Sequence, residues 1–145
     1  MKEENHTFLE FPSRSANEGF ARAAAACFAA QLDPTLEEVN DIKTAVSEAV
    51  TNAIVHAYPE ELGKVVMKLR RLGEDTLEVV VRDWGVGIRD VEQARMPLFT
   101  TGKEDRSGMG FTIMESFMDT VKVRSAPGKG TTVTMRRRIA RRLGR

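Results

Sequence analysis

Residues 48–56 read Glu48-Ala-Val-Thr-Asn52-Ala-Ile-Val-His56, and this stretch is the most informative about the fold. It closes a longer run, from about residue 36 to 57, in which apolar side chains recur at helical spacing, so we expect one long helix ending near Tyr58-Pro59. At ~100° per residue, Glu48, Asn52 and His56 line one polar edge of that helix. A polar edge alone is usually solvated surface, so its meaning depends on the rest of the chain.

Two glycine turns lie farther along the chain. The first, Asp83-Trp84-Gly85-Val86-Gly87-Ile88, follows a β-branched strand, and the second, Arg106-Ser107-Gly108-Met109-Gly110-Phe111, opens a predicted helix. A carboxylate at a strand end can accept a hydrogen bond from an exocyclic amine, and glycines let the backbone approach a ring or phosphate. A helix N-terminus offers free amides to an anion. Each turn alone is weak evidence, but their order and spacing with the helix edge predict a nucleotide site.

The elements before the long helix follow from capping and periodicity. A first strand is expected at residues 8–11. A helix follows, with Ser15 and Glu18 at the spacing of a capping box, and Thr35 with Glu38 forms a second capping box that starts the long helix.

Two hairpins and a long loop complete the predicted fold. One hairpin joins residues 65–72 and 76–81 around Gly73-Glu74-Asp75, and the other joins 121–124 and 131–137 around Pro127-Gly128-Lys129-Gly130. Between them, a long functional loop or lid is expected at about residues 89–108. The predicted class is α+β: a two-layer sandwich with a mixed, mostly antiparallel sheet covered on one face by about three helices.

Composition excludes several functional classes. The 145 residues fit a single domain, 1–145, and 22 Lys and Arg against 21 Asp and Glu leave a net charge of +1, so no nucleic-acid or membrane binding is expected. The Arg-rich end, residues 136–145, is read as a solvated strand and tail, with docking of an acidic partner as the alternative. Cys27 is expected to face the core as a small apolar side chain. With no apolar run of the ~20 residues needed to span a bilayer, we expect a cytoplasmic protein.

Taken together, residues 48–56, 83–87 and 106–111 resemble the signature of the Bergerat ATP-binding domain shared by DNA gyrase, the large heat-shock chaperone, sensor histidine kinases and MutL. We expect neither a phospho-acceptor histidine helix before this domain nor a transducer domain after it. Within that superfamily the chain is similar to the bacterial anti-sigma serine kinases, most of all to the sporulation anti-sigma-F branch. The segments that carry this similarity are 20–22, 32–35, 48–56, 97–101 and 106–117.

The resemblance implies a role for each matching residue. Asn52 would coordinate Mg²⁺ through its amide oxygen. Glu48 would act as general base toward the attacking serine, and Arg106 would offset charge on the γ-phosphate. Asp83 would bind the adenine amino group. The other residues expected around ATP or ADP are Ala53, His56, Gly85, Gly87, Ile88, Thr100, Thr101, Ser107, Gly108, Met109, Gly110, Phe111 and Thr132.

Two positions depart from the family pattern. Trp84 is a bulky choice between Asp83 and Gly85, and we expect it to pack over the pocket mouth or prop the lid. Gly102 separates the threonines of the lid from Lys103, so no phosphate contact is assigned to that lysine.

The leading hypothesis combines binding and catalysis. It is a homodimer that sequesters a sigma factor of the sigma-F type and uses Mg-ATP to phosphorylate one serine of an anti-anti-sigma protein. Arg22, in the matching first-helix segment, is the candidate contact for these partners. Two alternatives stay open: the anti-sigma kinase of the general stress response, and a non-catalytic ATP/ADP sensor. The sensor would not need Glu48, so the presence of Glu48 favours a kinase.

Overall fold

The computed structural model describes residues 1–96 and 109–140. The strands are β1 Glu3–Pro12, β2 Lys64–Leu72, β3 Thr76–Asp83, β4 Thr120–Ala126 and β5 Gly130–Arg138. The helices are α1 Ala16–Ala29, α2 Leu36–Thr51, α3 Val91–Ala94 and α4 Gly110–Phe117. A 3₁₀ turn, Ala30–Leu32, follows α1, and a π-helical turn, Asn52–His56, extends α2. No helix within the described ranges is both long and apolar enough to cross a membrane.

The five strands form one sheet in the order β1-β2-β3-β5-β4. All four pairings are antiparallel, where a mixed, mostly antiparallel sheet was expected. Alternate residues of β2 and β3 are buried on the face that carries the helices, as their period of two requires. The two-layer α+β fold is therefore confirmed. The buried residues of these two strands and of α2 include Val65, Met67, Leu69, Leu77, Val79, Val81, Ile42, Val46 and Val50.

The two predicted capping boxes have different outcomes. At α2, the Glu38 amide donates to Thr35 Oγ1 at 3.0 Å and the Thr35 amide donates to Glu38 Oε1 at 2.8 Å, so that box is confirmed. At α1 the prediction is wrong. Ser15 has helical dihedral angles, φ −59° and ψ −29°, and makes no side-chain cap, whereas capping by the side chain requires an extended residue.

The buried face of α1 also differs from the predicted one. Ala21, Ala25, Phe28 and Ala29 are buried. Cys27, which we expected to face the core, is exposed.

Candidate functional site

A cavity of about 510 Å³ lies where the end of α2 meets the end of β3, the turn after β3, α3 and the start of α4. Its lining is mostly apolar and includes a few polar groups, which is typical of small-molecule sites. The predicted site residues that line it are Asn52, Ala53, His56, Asp83, Gly87, Ile88 and Phe111. The other lining residues, which belong to no motif in the sequence, include Ala49, Val81, Thr131 and Val133.

Asp83 is the buried acidic residue among those that line the cavity. It ends β3 and is only 6% exposed. Its Oδ1 accepts hydrogen bonds from the backbone amides of Gly85, at 2.9 Å, and Thr131, at 3.2 Å. Burial raises the pKa of this carboxyl, and the two amide bonds offset part of that rise. Because both amides bond Oδ1, the second oxygen, Oδ2, is the one that a ligand's amine can reach.

The two glycines after Asp83 allow the chain to pass very close to its neighbours. A Cβ on Gly85 would overlap the carbonyl group of Ala57. Gly87 has a φ of +78°, and a Cβ there would overlap the carbonyl of Ala126. The turn is held by the Val86 amide, which donates to Ala57 O at 2.9 Å, and by the Gly128 amide, which donates to Val86 O at 2.7 Å. Both glycines are therefore structural requirements of the cavity wall.

Gly87→Ala is expected to lower the free energy of unfolding by about 3 kcal/mol or more, since it adds a backbone overlap to a positive φ. Gly128→Ala is the matched control. Gly128 has the same φ of +78°, but a Cβ there meets nothing within 4 Å, so about 1 kcal/mol is expected from the backbone alone. Urea unfolding of the two variants measures the difference, and equal losses would contradict this account of Gly87.

Glu48 and Asn52 meet the start of α4 at the other end of the site. A Cβ built on Gly110 would lie 3.3 Å from Asn52 Nδ2, 3.4 Å from Asn52 Oδ1 and 3.6 Å from Glu48 Oε1. The polar helix edge and the second glycine turn are thus brought together, with the first-turn amides of α4 beside them. Met109 directly precedes α4. Thr100, Thr101, Arg106, Ser107, Gly108 and most of the predicted lid lie outside the described residues.

Thr132, which was expected at the nucleotide site, does not line the cavity, whereas its neighbour Thr131 does. In the register of β3 and β5, Thr131 lies opposite Asp83 and Thr132 lies opposite Arg82. Since side chains alternate between the faces of a sheet, Thr132 faces away from the cavity. Thr131 lines the cavity, and its backbone amide donates a hydrogen bond to Asp83 Oδ1.

The expectation that Trp84 packs over the pocket mouth is wrong, and the alternative, that it props the lid, concerns a segment of which most lies outside the described residues. Its ring lies 4.3 Å from Lys64 Nζ and 4.5 Å from the guanidinium carbon of Arg82. Arg82 and Trp84 are two residues apart at the end of β3, so both lie on the face of the sheet opposite the helices. The tryptophan packs between cations there and takes no part in lining the cavity.

The first-helix candidate, Arg22, lies on α1. Its guanidinium is 3.3 Å from the carboxylate of Glu18, and its side chain is 41% exposed. It is thus accessible to a partner, and its role in binding stays a prediction.

Within residues 1–96 and 109–140, no three His, Cys, Asp or Glu side chains come together in a way that could hold a metal ion. A Mg²⁺ at Asn52 would therefore need phosphate and water oxygens to complete its shell, which is how this ion usually binds beside a nucleotide. The amide oxygen of Asn52 is a hard donor and fits such an ion.

Comparison with known proteins gives consistent matches over nearly the whole chain. The family described as "Histidine kinase-like ATPase domain" matches residues 11–137. The chain is 54% identical over 142 residues to a protein of Caldanaerobacter subterraneus subsp. tengcongensis named "Anti-sigma F factor", covering 97% of this chain and 99% of that protein. A protein of the same name from Pasteuria penetrans is 57% identical over 93% of this chain and 91% of its own. Another from Geobacillus kaustophilus is 54% identical over 97% of this chain and 96% of its own.

Solved structures with the same fold are more distant in sequence. The RsbU and RsbW domains of a Mycobacterium tuberculosis protein superpose with a TM-score of 0.68 at 20% identity, covering 94% of this chain and 32% of that one. The mycobacterial sensor histidine kinase MprB superposes with a TM-score of 0.57 at 20% identity, over 72% of this chain and 74% of that one. These likenesses concern the fold.

Proposed function

We propose that this chain, which belongs to the anti-sigma F factor family and has a histidine kinase-like ATPase domain, inhibits a sporulation sigma factor in the cytoplasm. We further propose that it uses Mg-ATP to phosphorylate a serine of that sigma factor's protein antagonist. The domain family implies that ATP or ADP is bound. The observation that carries the kinase proposal is the meeting of Glu48 and Asn52 with the start of α4, beside a cavity that Asn52 and Asp83 both line.

The adenine is assigned to the Asp83 end. The base would enter the apolar part of the cavity between Ala53 and Val133, and its exocyclic amino group would donate to Asp83 Oδ2. The amide bonds on Oδ1 hold the carboxylate in place for this contact. A fixed, buried acceptor is selective because a base without the amino group leaves it unpaired.

The phosphates are assigned to the α4 end. The free amides at the start of α4 would face them, and Asn52 would hold the Mg²⁺ that neutralises part of their charge. Arg106, Thr100, Thr101, Ser107 and Gly108 are proposed to complete this end.

Glu48 is proposed as the general base. The serine oxygen of the antagonist would attack the γ-phosphorus as the bond to the β,γ-bridging oxygen breaks, and the serine proton would pass to the Glu48 carboxylate. Glu48 lies one helical turn before Asn52, on the same edge of α2, so the base and the metal-binding residue keep a fixed separation.

Partner binding is assigned to the exposed side of α1, with the protein acting as a homodimer. Arg22 lies there, and the nearby Phe20 is 61% exposed, which gives the surface both a charge and an apolar group. If Arg22→Glu left binding of the sigma factor and of the antagonist unchanged, this assignment would be wrong.

The test of the kinase proposal is transfer of labelled phosphate from Mg-ATP to a candidate antagonist. A stable phosphoserine on the antagonist, absent without Mg²⁺, is expected. Tight nucleotide binding with no transfer to any cognate antagonist would instead favour the ATP/ADP sensor. Recovery of a stress-response sigma factor, and not a sporulation one, from the source cell would favour the general-stress kinase.

A further inference from the structure

Tyr58, the chain's only tyrosine, joins three segments around the cavity. Its hydroxyl accepts a hydrogen bond from the Trp84 amide at 2.6 Å and donates one to the Lys64 carbonyl at 2.6 Å. Its ring packs so closely on Gly63 that a Cβ there would overlap it. Tyr58, two residues after the π-helical turn ends at His56, is thus bonded to both β2 and the turn after β3.

The neighbouring residue, Ala57, contacts the same turn after β3. Its carbonyl accepts the Val86 amide at 2.9 Å, and Gly85 lies directly against it. Two consecutive residues at the end of α2 therefore hold the backbone of three consecutive residues, 84–86. The carboxylate of Asp83 is attached directly to the start of this held segment.

A hydroxyl is the group that this position requires. It must accept from an N–H and donate to a carbonyl at once, which a neutral phenol can do and a phenyl ring cannot. Burial raises the pKa of Tyr58; the Trp84 amide bond lowers it and the charge of Asp83 raises it further. The phenol is therefore neutral at physiological pH and can make both bonds.

We propose that Tyr58 is a positioning residue for adenine recognition. Its hydroxyl fixes the Trp84 amide, and with it the direction in which Asp83 presents Oδ2 to the base. Nothing in the helical edge or the glycine turns requires a tyrosine here, so this is a role separate from theirs. The inference rests on the proposed binding of the adenine amino group by Asp83.

The experiment compares ATP with inosine triphosphate, which carries a carbonyl oxygen where adenine carries the amino group. Affinities of the wild type and Tyr58→Phe are measured by calorimetry with Mg²⁺, well below the melting temperature. The wild type is expected to prefer ATP strongly. In Tyr58→Phe the preference should fall by about tenfold, the size expected when a buried hydrogen-bonded group loses its partner, while inosine triphosphate affinity changes little.

Thr44→Val is the matched control. It removes an exposed hydroxyl of α2 that donates a hydrogen bond to the Asn40 carbonyl of the same helix. This change should leave the preference for ATP unchanged. Equal weakening of both nucleotides in Tyr58→Phe, or no weakening, would overturn the positioning role. Absence of any preference in the wild type would instead overturn the assignment of adenine to Asp83.

Uniform replacement of tyrosine by 3-fluorotyrosine gives a second test. It keeps the ring and its hydroxyl, and it changes Tyr58 alone because the chain has one tyrosine. Fluorine lowers the phenol pKa, and the phenolate cannot donate to the Lys64 carbonyl, so the oxygen that fixes the Trp84 amide loses its own anchor on β2. The preference for ATP should then decline at a lower pH in the fluorinated protein than in the normal one. Identical pH profiles in the two proteins would contradict the proposal even if Tyr58→Phe failed to fold.

Discussion

Replacing Glu48 with glutamine is expected to slow phosphoryl transfer to the antagonist by about 10²- to 10⁴-fold, the usual contribution of a positioned general base. The amide keeps the size of the side chain but cannot take the serine proton. Nucleotide affinity should stay within about threefold, since the loss falls on the chemical step and not on ground-state binding. Single-turnover transfer from labelled ATP and calorimetry of the same variant measure the two quantities.

Glu37→Gln is the control for Glu48→Gln. Glu37 lies in the first turn of the same helix and is exposed, so its replacement makes the same chemical change far from the cavity. It should leave transfer unchanged. Transfer at the wild-type rate by Glu48→Gln would remove Glu48 from the role of base and leave the sensor hypothesis stronger.

Replacing Asp83 with asparagine is expected to weaken ATP binding by about 100-fold. The side-chain oxygen of asparagine can still accept from Gly85 and Thr131, so the turn keeps its shape. In place of Asp83 Oδ2, however, asparagine has an NH₂ group, which would face the adenine amino group. The charge-assisted hydrogen bond to that amino group is then lost. Equilibrium binding of ATP and ADP to the variant measures the loss.

The same change should not reduce the stability of the unliganded protein at neutral pH. Burial raises the folded pKa of Asp83 above its ordinary value of 3.8. The folded state therefore holds this proton more tightly than the unfolded state does. Asp83 contributes its full stabilisation of the folded state below about pH 3.8. That contribution is lost as the pH rises through the folded pKa. At pH 7 the ionised carboxylate opposes folding, and asparagine removes that cost.

Asp90→Asn is the matched control for Asp83→Asn. Asp90 also lines the cavity, and it caps α3 by accepting the Gln93 amide at 3.0 Å, a bond that asparagine makes equally well. This variant loses the same charge near the ligand, and ATP affinity should not fall. A similar fall in both variants would show that charge at the cavity, and not a specific contact to adenine, is responsible. A clear drop in the melting temperature of Asp83→Asn would contradict the pKa argument.

Much of the fold follows from local patterns in the sequence. The capping box of Thr35 and Glu38, the long apolar stripe of α2 and the two glycine-containing hairpins are short-range signals, and each is present in the structure. The convergence of Asn52, Asp83 and Phe111 on one cavity also follows from the motifs. Their contacts with a nucleotide stay predictions.

Other features depend on tertiary contacts that no local pattern contains. The exposure of Cys27 depends on which face of α1 packs against the rest of the protein. The choice of Thr131 over Thr132 depends on the register between β3 and β5. The π-helical turn after α2, Asn52–His56, brings Tyr58 to the turn after β3. In the sequence this tyrosine served only to mark the end of a helix.

The central claim is that one edge of α2 and two distant glycine turns surround a purine nucleotide and its metal ion. Titration of the folded wild-type protein with ATP in a calorimeter, with and without Mg²⁺, tests it most directly. We predict saturable binding at one site per chain that is stronger with Mg²⁺ and is competed by ADP. No binding of either nucleotide with Mg²⁺ present, by protein shown to be folded, would contradict the account.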